Sequence, residues 1–379
     1  MSPGAPKKSS IAIDIHAHMM LPEVYAVTVG HSAFGKSTND PTLGPEARRK
    51  AKERSDFVCA KMADTSERIG EMDKMGVDIQ VLTASLVHQC TYWATPSESL
   101  RLERMLNDRI AQMVATNPKR LIGLGGVPLH APELAAREVE RCMTELKLKG
   151  FNISTQARDL EIGDRLLWPF WEKAAEHDAI VYIHPAGNPS PRFHKHFLWN
   201  SVGQNFEEAM AIASLMYEGV LDAFPTLKIC ISHGGGYMPL CMGRIARNYL
   251  EKPSTRANMS KSPDEYLRQL YYDTCVYDHD VLRHLVERVG AGQVILGSDY
   301  PVGEWKPVEF VRATPGITDA DKDRIIGLNA AKMFGLAVPR ASLRDDITGP
   351  DLGPKGEDHD VSHPRRARAS AAAARDRRR

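Results

Sequence analysis

The stretch Ile11-Ala12-Ile13-Asp14-Ile15-His16-Ala17-His18 decides how the rest of this 379-residue sequence is interpreted. It is an apolar run that ends in His-x-His, as a buried β-strand with polar ligands at its end would. Because strand side chains alternate, Asp14, His16 and His18 are expected on one face. Two imidazoles at this spacing can reach one metal ion. The alternative is that His16 and His18 are two ordinary histidines at the end of a strand and bind no metal.

Three later apolar runs end in the same kind of residue. Ile180–His184 is followed by Pro185, Ile229–His233 by three glycines, and Val294–Asp299 by Tyr-Pro. Each run has the length and composition of a buried strand that stops at a His or an Asp and then turns. Four such coincidences are hard to assign to packing, so we expect these strand ends to meet.

The whole chain alternates between strand and helix patterns, which predicts an α/β protein. Eight strands are predicted near residues 11, 78, 121, 150, 180, 228, 271 and 294. Alternation predicts a parallel sheet, and eight units predict a closed (β/α)8 barrel of the TIM type. A doubly wound open sheet would alternate in the same way, but it offers no reason for four ligand-bearing strands to meet. A barrel does, because all its strands end at one mouth.

Composition divides the chain into segments. Residues 1–10 are a polar N-terminal extension, and residues 11–338 are predicted to form the barrel. Residues 21–65 form a polar insertion after the first strand, which is either functional or a solvated surface flap. Residues 339–379 are a low-complexity, Arg/Ala-rich tail without core-forming residues, which we expect to be disordered.

Charge and cysteine content narrow the function. Lys+Arg 49 against Asp+Glu 48 leave a net charge of +1, which gives no reason to propose nucleic acid or an anionic membrane as a partner. The six cysteines contain no C-x-x-C pair, which argues against a disulfide framework or a thiolate zinc site. No stretch is long and apolar enough to cross a membrane. We therefore expect a soluble cytoplasmic protein with a small-molecule ligand.

In a barrel, four of these side chains would converge on one divalent cation. Nitrogen and oxygen ligands without thiolate suit Zn²⁺ best, with Mn²⁺ or Fe²⁺ as alternatives. Binding to such an ion lowers the pKa of a water molecule from near 15.7 to about 7. His233 would stand beside the ion, and the predicted ligands are His16, His18, His184 and Asp299.

Taken together, these motifs resemble the amidohydrolase superfamily, in the branch of 2-amino-3-carboxymuconate-6-semialdehyde decarboxylase and related metal-dependent decarboxylases. The resemblance spans Ile11 to Leu336. It rests on the Asp-x-His-x-His opening, Arg68–Asp73, His184-Pro185, Ser232–Gly236, Gly297–Pro301 and Asn329–Phe334.

The resemblance implies roles for individual residues. It makes His16, His18, His184 and Asp299 the metal ligands and His233 the acid/base. Arg244 matches a position that binds a substrate carboxylate in the neighbouring subunit's site, which implies a homodimer. Trp199 matches an aromatic wall, and Arg54 matches a second carboxylate-binding arginine.

Two departures limit the substrate and the metal count. No Lys follows the fourth strand, which reads Phe151–Thr155, so the two-metal branch with a carboxylated Lys is disfavoured and one ion is expected. His16 stands where the related aromatic-acid decarboxylases have Glu, which puts a benzoate-type substrate in second place.

The resulting hypothesis is non-oxidative decarboxylation of a small unsaturated or aromatic carboxylic acid. His233 would act with the metal-bound water while Arg244 holds the carboxylate. A direct route, in which the substrate chelates the ion and Asp299 shuttles the proton, fits equally well. The alternative is a metal-dependent hydrolase or hydratase acting on a lactone or ring-cleavage product. A non-catalytic metal-binding barrel is a remote third hypothesis.

Overall fold

A computed structural model of the chain describes residues 11–32, 43–64, 66–85, 88–188 and 190–337. The predicted N-terminal extension and Arg/Ala-rich tail lie outside the described residues. Within the described ranges, no helix is long and apolar enough to cross a membrane.

Eight parallel strands form the predicted barrel. Two sheets, β1-β2-β3 and β4-β5-β6-β7-β8, are joined by single bridges between Ala17 and Tyr300 and between Gly125 and Phe151, so the ring is closed. A short antiparallel hairpin of Gln156–Ala157 and Leu160–Glu161 follows β4. The strands are β1 Ile13–Met19, β2 Ile79–Ala84, β3 Leu121–Gly123, β4 Gly150–Ile153, β5 Ile180–Ile183, β6 Lys228–Ile231, β7 Tyr271–Asp273 and β8 Val294–Ile295.

Helices follow the strands as the sequence pattern predicts. The predicted helix from residue 206 to 224 is interrupted at Gly219, which is left-handed, and the last predicted helix contains a π-helical segment, Arg324–Leu328. The helices are α1 Pro22–Thr28, α2 Pro45–Ala63, α3 Arg68–Met75, α4 Pro96–Thr116, α5 Pro132–Thr144, α6 Trp168–Glu176, α7 Asn205–Tyr217, α8 Val220–Ala223, α9 Met238–Glu251, α10 Pro263–Leu267, α11 His279–Val289, α12 Pro307–Ala313, α13 Asp319–Asp323 and α14 Asn329–Phe334.

The insertion after β1 contains two of these helices, α1 and α2, although its sequence shows no clear apolar stripe. Most of α2 is exposed, and Met62 is its buried residue. Ion pairs one turn apart, such as Arg49 with Glu53 at 2.6 Å and Lys52 with Asp56 at 2.7 Å, cover its surface. A helix that is polar on nearly all sides leaves little periodic signal in the sequence.

The barrel interior is an apolar layer beneath the mouth. It is built from inward-facing residues of successive strands, and α14 packs against it and closes the end at which the strands begin. Its members include Ile13, Ile15, Val81, Ile122, Leu124, Ile180, Tyr182, Cys230, Ile295, Met333 and Phe334.

A β-bulge in β1 corrects the expected position of Asp14. Asp14 is paired with Gln80, and Ala17 is paired with Leu82. Between these two pairs β1 advances by three residues and β2 by two, so β1 contains one extra residue. The extra residue shifts the side-chain alternation by one. His16 and His18 therefore face the barrel mouth with the parity opposite to that of Asp14. The prediction that all three share a face was wrong.

Asp14 instead belongs to a buried polar network that joins β1, β2 and the chain after β8. Its carboxylate accepts hydrogen bonds from Ser298 at 2.6 Å and from Gln80 at 3.0 Å. The Arg68 guanidinium donates to Gln80 at 2.8 Å and to the carbonyl of His18 at 2.6 Å. Burial lowers the pKa of Arg68 to about 10, so this side chain still carries its charge at neutral pH.

Replacing Arg68 with Met should therefore destabilise the barrel. The substitution leaves the buried His18 carbonyl and Gln80 side-chain oxygen without a donor, which costs about 2–4 kcal/mol. Urea unfolding of the metal-free protein measures the change. The control is Arg101→Gln, which removes an exposed pair with Glu98 and should change stability by less than about 0.5 kcal/mol. Equal stability of the two variants would contradict a structural role for the buried network.

Candidate metal centre and active site

Three predicted ligands from opposite ends of the chain meet at the barrel mouth. His16 and His18 lie at the end of β1, and Asp299 follows β8. Oδ1 of Asp299 lies 3.2 Å from His16 Nε2 and 3.1 Å from His18 Nε2. The two Nε2 atoms are 3.3 Å apart. These distances bring three potential ligand atoms to one position, although His18 and Asp299 are 281 positions apart in the sequence.

The two remaining histidines complete the cluster. The ring centre of His184, which follows β5, is 5.0 Å from that of His16 and 4.9 Å from that of His18. His233, which follows β6, lies 5.1 Å from His184, and its Nε2 is 4.0 Å from Asp299 Oδ2. His16, His184, His233 and Asp299 each offer a donor atom within 4.8 Å of the others.

The second nitrogen of each imidazole has a partner of its own. His16 Nδ1 donates to Asp273 Oδ2 at 2.7 Å, and His184 Nδ1 donates to the carbonyl of Pro185 at 3.0 Å. His18 Nδ1 lies 3.2 Å from Thr83 Oγ1. Such partners fix the ring orientation and leave Nε2 free for a metal, as in established zinc sites.

His233 has a stronger partner, which the sequence did not reveal. Its Nδ1 forms a short hydrogen bond with the buried carboxylate of Glu208 on α7, and Ser232 Oγ donates to the same oxygen. The second oxygen, Glu208 Oε2, has no hydrogen-bond partner among the described residues. Burial disfavours a charged His233, but Glu208 outweighs it and raises the pKa of His233 above its usual value.

The electrostatics of the cluster call for a cation. Burial lowers the pKa of His18 and holds that of His184 well below its usual range, so both imidazoles are neutral and can act as ligands. Burial disfavours charge on His16 as well, yet the carboxylates of Asp299 and Asp273 raise its pKa to about 10. Two carboxylates, one at each ring nitrogen of His16, thus attract positive charge, which a proton or a divalent cation can supply.

The donor set therefore fits a divalent metal ion. Three imidazole Nε2 atoms and one carboxylate oxygen point inward, and thiolate ligands are not needed. The fixed Nδ1 partners would let the Nε2 lone pairs approach a cation, which would take the place of the proton that His16 otherwise carries between its Nε2 and that of His18. His16, His18, His184 and Asp299 remain the predicted ligands, and by distance alone His233 could take the place of His18.

The backbone around the cluster is unusually constrained. His233 and Asp299 adopt left-handed φ values of +47° and +56°, which non-glycine residues rarely do. The glycine run after His233 is required sterically, because a Cβ on Gly236 would lie 2.3 Å from the carbonyl oxygen of Asn205. Gly297 likewise lets β8 approach His16, whose Cβ would be 3.1 Å from an added methyl group.

A large cavity of about 1260 Å³ opens above the metal position. Its floor contains His233 and Asp299, and the insertion supplies one wall. Asp299 is the acidic residue among the lining residues, whereas Arg48, Lys52 and Arg54 of α2 lie at the cavity. The lining therefore favours an anionic ligand with an apolar body.

Two of the three predicted substrate-binding residues line the cavity, and the third does not. Trp199 is 2% exposed and lines the cavity. Arg54 also lines it and donates to the carbonyl of Val302 at 3.1 Å. Arg244 lies on the exposed surface of α9 and does not line the cavity of its own chain.

The sequence is similar to those of known amidohydrolase-family enzymes. The amidohydrolase family model matches residues 13–336. A 2-amino-3-carboxymuconate-6-semialdehyde decarboxylase from Dictyostelium discoideum is 34% identical, over 86% of this chain and 92% of its own. A 2-keto-4-carboxy-3-hexenedioate hydratase from Sphingobium sp. (strain NBRC 103272 / SYK-6) is 27% identical, over 59% of this chain and 65% of its own.

Solved structures with this fold include decarboxylases. The 5-carboxyvanillate decarboxylase of Sphingomonas paucimobilis is 29% identical with a TM-score of 0.74, covering 86% of this chain and 100% of its own. Dihydroxybenzoic acid decarboxylase from Polaromonas sp. JS666, with bound manganese and the inhibitor 2-nitroresorcinol, is 24% identical with a TM-score of 0.73, covering 86% and 97%. The decarboxylases among these proteins indicate a carboxy-lyase of the same superfamily. The chain belongs to the amidohydrolase family.

Proposed function

We propose that this protein is a metal-dependent, non-oxidative decarboxylase of a small unsaturated or aromatic carboxylic acid. The observation that carries the proposal is the cluster of His16, His18, His184, His233 and Asp299, of which His233 and Asp299 line the cavity. The decarboxylases among its relatives and neighbours support the same reaction.

The chemistry divides between the ion and the chain. A bound divalent ion supplies Lewis-acid stabilisation of negative charge and acidifies a coordinated water. Loss of CO₂ breaks a carbon–carbon bond and leaves its electron pair on the substrate carbon, which must then take up a proton. His233 Nε2 faces the cavity and can deliver that proton, while Glu208 fixes the ring from the Nδ1 side. The alternative route, with proton transfer by Asp299, uses the oxygen Oδ2 that lies 4.0 Å from His233.

Zinc is the first choice for the ion, because the ligands are three imidazoles and a carboxylate. Manganese and iron(II) remain alternatives, and the Polaromonas neighbour contains manganese. One ion is proposed, because β4 and the two residues after it read Gly-Phe-Asn-Ile-Ser-Thr and supply no Lys to bridge a second ion. Elemental analysis of protein purified without added metal identifies the ion.

The substrate is proposed to be an anion with a flat apolar body. Trp199 supplies an aromatic wall, and Arg54 supplies a positive charge close to the chain segment that follows Asp299. A benzoate-type acid stays the second candidate behind an unsaturated ring-cleavage acid, because His16 occupies the position at which the aromatic-acid decarboxylases resembled here have Glu.

Arg244 is proposed to complete the site of a second subunit. It is exposed on α9, and no described residue pairs with its guanidinium. The same helix exposes Leu240 and Leu250 at 55% and 72%, an apolar surface that a partner subunit would cover. The proposed assembly is therefore a homodimer in which Arg244 holds the substrate carboxylate across the interface.

The cytoplasm is the proposed location. Cys59, Cys142, Cys230, Cys241 and Cys275 are all free thiols, three of them buried, and no disulfide is formed among the described cysteines. Reduced cysteines are the normal state in the cytosol.

A hydratase or hydrolase is the competing function, and the Sphingobium relative favours the hydratase. A metal-activated water would serve both reactions, so the ligand set does not distinguish them. A non-catalytic metal-binding barrel stays the remote alternative, because Glu208 and His233 form an acid/base pair with little structural use.

Incubation with a panel of unsaturated and aromatic acids should release CO₂ from at least one of them. Chelation should abolish the release while the far-ultraviolet circular dichroism stays unchanged, because the barrel core is buried independently of the ion. Zinc or manganese added back should restore turnover. Water uptake without CO₂ would favour the hydratase, and unfolding on chelation would favour a structural ion.

The pair formed by His233 and Glu208 can be tested by substitution. His233→Asn should lower kcat by about 10²–10⁴-fold, because the proton donor is removed. Glu208→Gln should lower kcat less, because it keeps the ring position but weakens the partner charge. The metal content of both variants should equal that of the wild type. If His233→Asn instead loses the ion, His233 is a ligand and not the acid/base.

Subunit mixing tests the shared site. Arg244→Met and His233→Asn should each be inactive alone. Mixed and reassembled in equal amounts, they should recover about a quarter of the wild-type sites, because each mixed dimer contains one site with both native residues. Size-exclusion chromatography checks the dimer. No recovery in a confirmed mixed dimer would place the action of Arg244 within its own subunit.

A further inference from the structure

We propose that Tyr277 is a positioning residue that sets the rotation of the Asp299 carboxylate. Tyr277 lies in the segment after β7, and its hydroxyl donates a hydrogen bond to Asp299 Oδ2 at 3.1 Å. The proposal rests on the proposed decarboxylase function and adds a residue that neither the sequence motifs nor the predicted ligand set includes.

The two oxygens of Asp299 have different surroundings. Oδ1 faces the metal position, at 3.2 Å and 3.1 Å from the Nε2 atoms of His16 and His18. Oδ2 faces the reaction side, 4.0 Å from His233 Nε2. A carboxylate that rotates about its bond would exchange these roles. The hydrogen bond from Tyr277 holds one oxygen away from the ion and so keeps Oδ2 oriented toward the substrate.

Tyr277 holds this position in an unfavourable backbone conformation. Its φ is +55°, a left-handed value that a bulky aromatic residue rarely adopts. Strain of this kind persists where the surroundings enforce it, and it concentrates at functional sites. The neighbouring loop makes room for the phenol, because a Cβ on Gly303 would lie 2.7 Å from the Tyr277 hydroxyl oxygen.

Core packing does not account for the strain. As a whole residue, Tyr277 is 55% exposed, and it lines the cavity above the metal position. An exposed aromatic residue in a left-handed conformation would gain little from burial. The contact that the conformation secures is the one with Asp299, so the geometry is explained by the orientation of that carboxylate.

Tyr277→Phe is the direct test, because it removes only the hydroxyl group. The loss of one hydrogen bond to a charged group should lower kcat by about 10- to 100-fold. KM should stay within about twofold, since the ring remains in the cavity wall. Metal content by elemental analysis and the thermal midpoint should match the wild type. Tyr217→Phe, a half-buried tyrosine on α7 outside the cavity, is the matched control and should leave all four quantities unchanged.

Tyr277→Asn separates positioning from a structural role. Asn tolerates the left-handed conformation, so this variant relieves the strain while it removes the phenol. Its midpoint should equal or exceed that of the wild type, and its kcat should fall at least as far as that of Tyr277→Phe. A lower midpoint together with lost metal in both variants would make Tyr277 a structural residue and overturn the proposal.

Activity of the wild type distinguishes the two levels of inference. If the wild type releases CO₂ and Tyr277→Phe has the same kcat, the positioning role is overturned and the decarboxylase function stands. A rise in KM without a fall in kcat would make Tyr277 a substrate contact and would also overturn the role. If the wild type releases no CO₂ from any acid with any ion, both inferences fail together.

Discussion

The rest of the site depends on the contact between the Asp299 carboxylate, which follows the last strand, and the two histidines of the first strand. One oxygen meets the Nε2 atoms of His16 and His18, and the other faces His233 and Tyr277. This arrangement requires β8 to lie beside β1, which the barrel achieves through the Ala17–Tyr300 bridge and the hydrogen bond from Ile15 N to the carbonyl of Leu296. Closure of the ring therefore brings Asp299 next to the two histidines of β1.

Several residues around the site adopt unfavourable backbone conformations, and their neighbours make these conformations possible. His233, Asp299 and Tyr277 all adopt left-handed conformations, and the glycines beside them remove the Cβ atoms that would collide with neighbouring backbone or side chains. The network of Asp14, Gln80 and Arg68 supplies buried hydrogen bonds beneath the same strands. The strained backbone lies at the cavity, and the buried hydrogen-bond network lies on the other side of the strands. Together they can hold the site in a fixed geometry without covalent cross-links.

The electrostatic design is consistent with an anionic substrate. The carboxylates of Asp299 and Asp273 flank His16 and favour a cation, whereas the cavity above is bordered by basic residues of α2. An acid entering from solvent would meet positive charge first and then the ion. Residues of both helices of the insertion line this cavity, so a functional role for the insertion stays a prediction with a structural basis.

The sequence by itself determined the barrel and which strand-end side chains converge, because buried strands, strand–helix alternation and His or Asp at strand ends are local patterns. The same local information failed where a contact depends on a distant element. Alternation put Asp14 on the face of His16 and His18, but pairing of β1 with β2 creates a bulge that reverses it. Glu208 looked like any acidic residue in the first turn of a helix, and Tyr277 like any loop tyrosine. Only the folded barrel, by bringing α7 beside β6 and the β7 loop beside β8, decided that these two side chains orient His233 and Asp299.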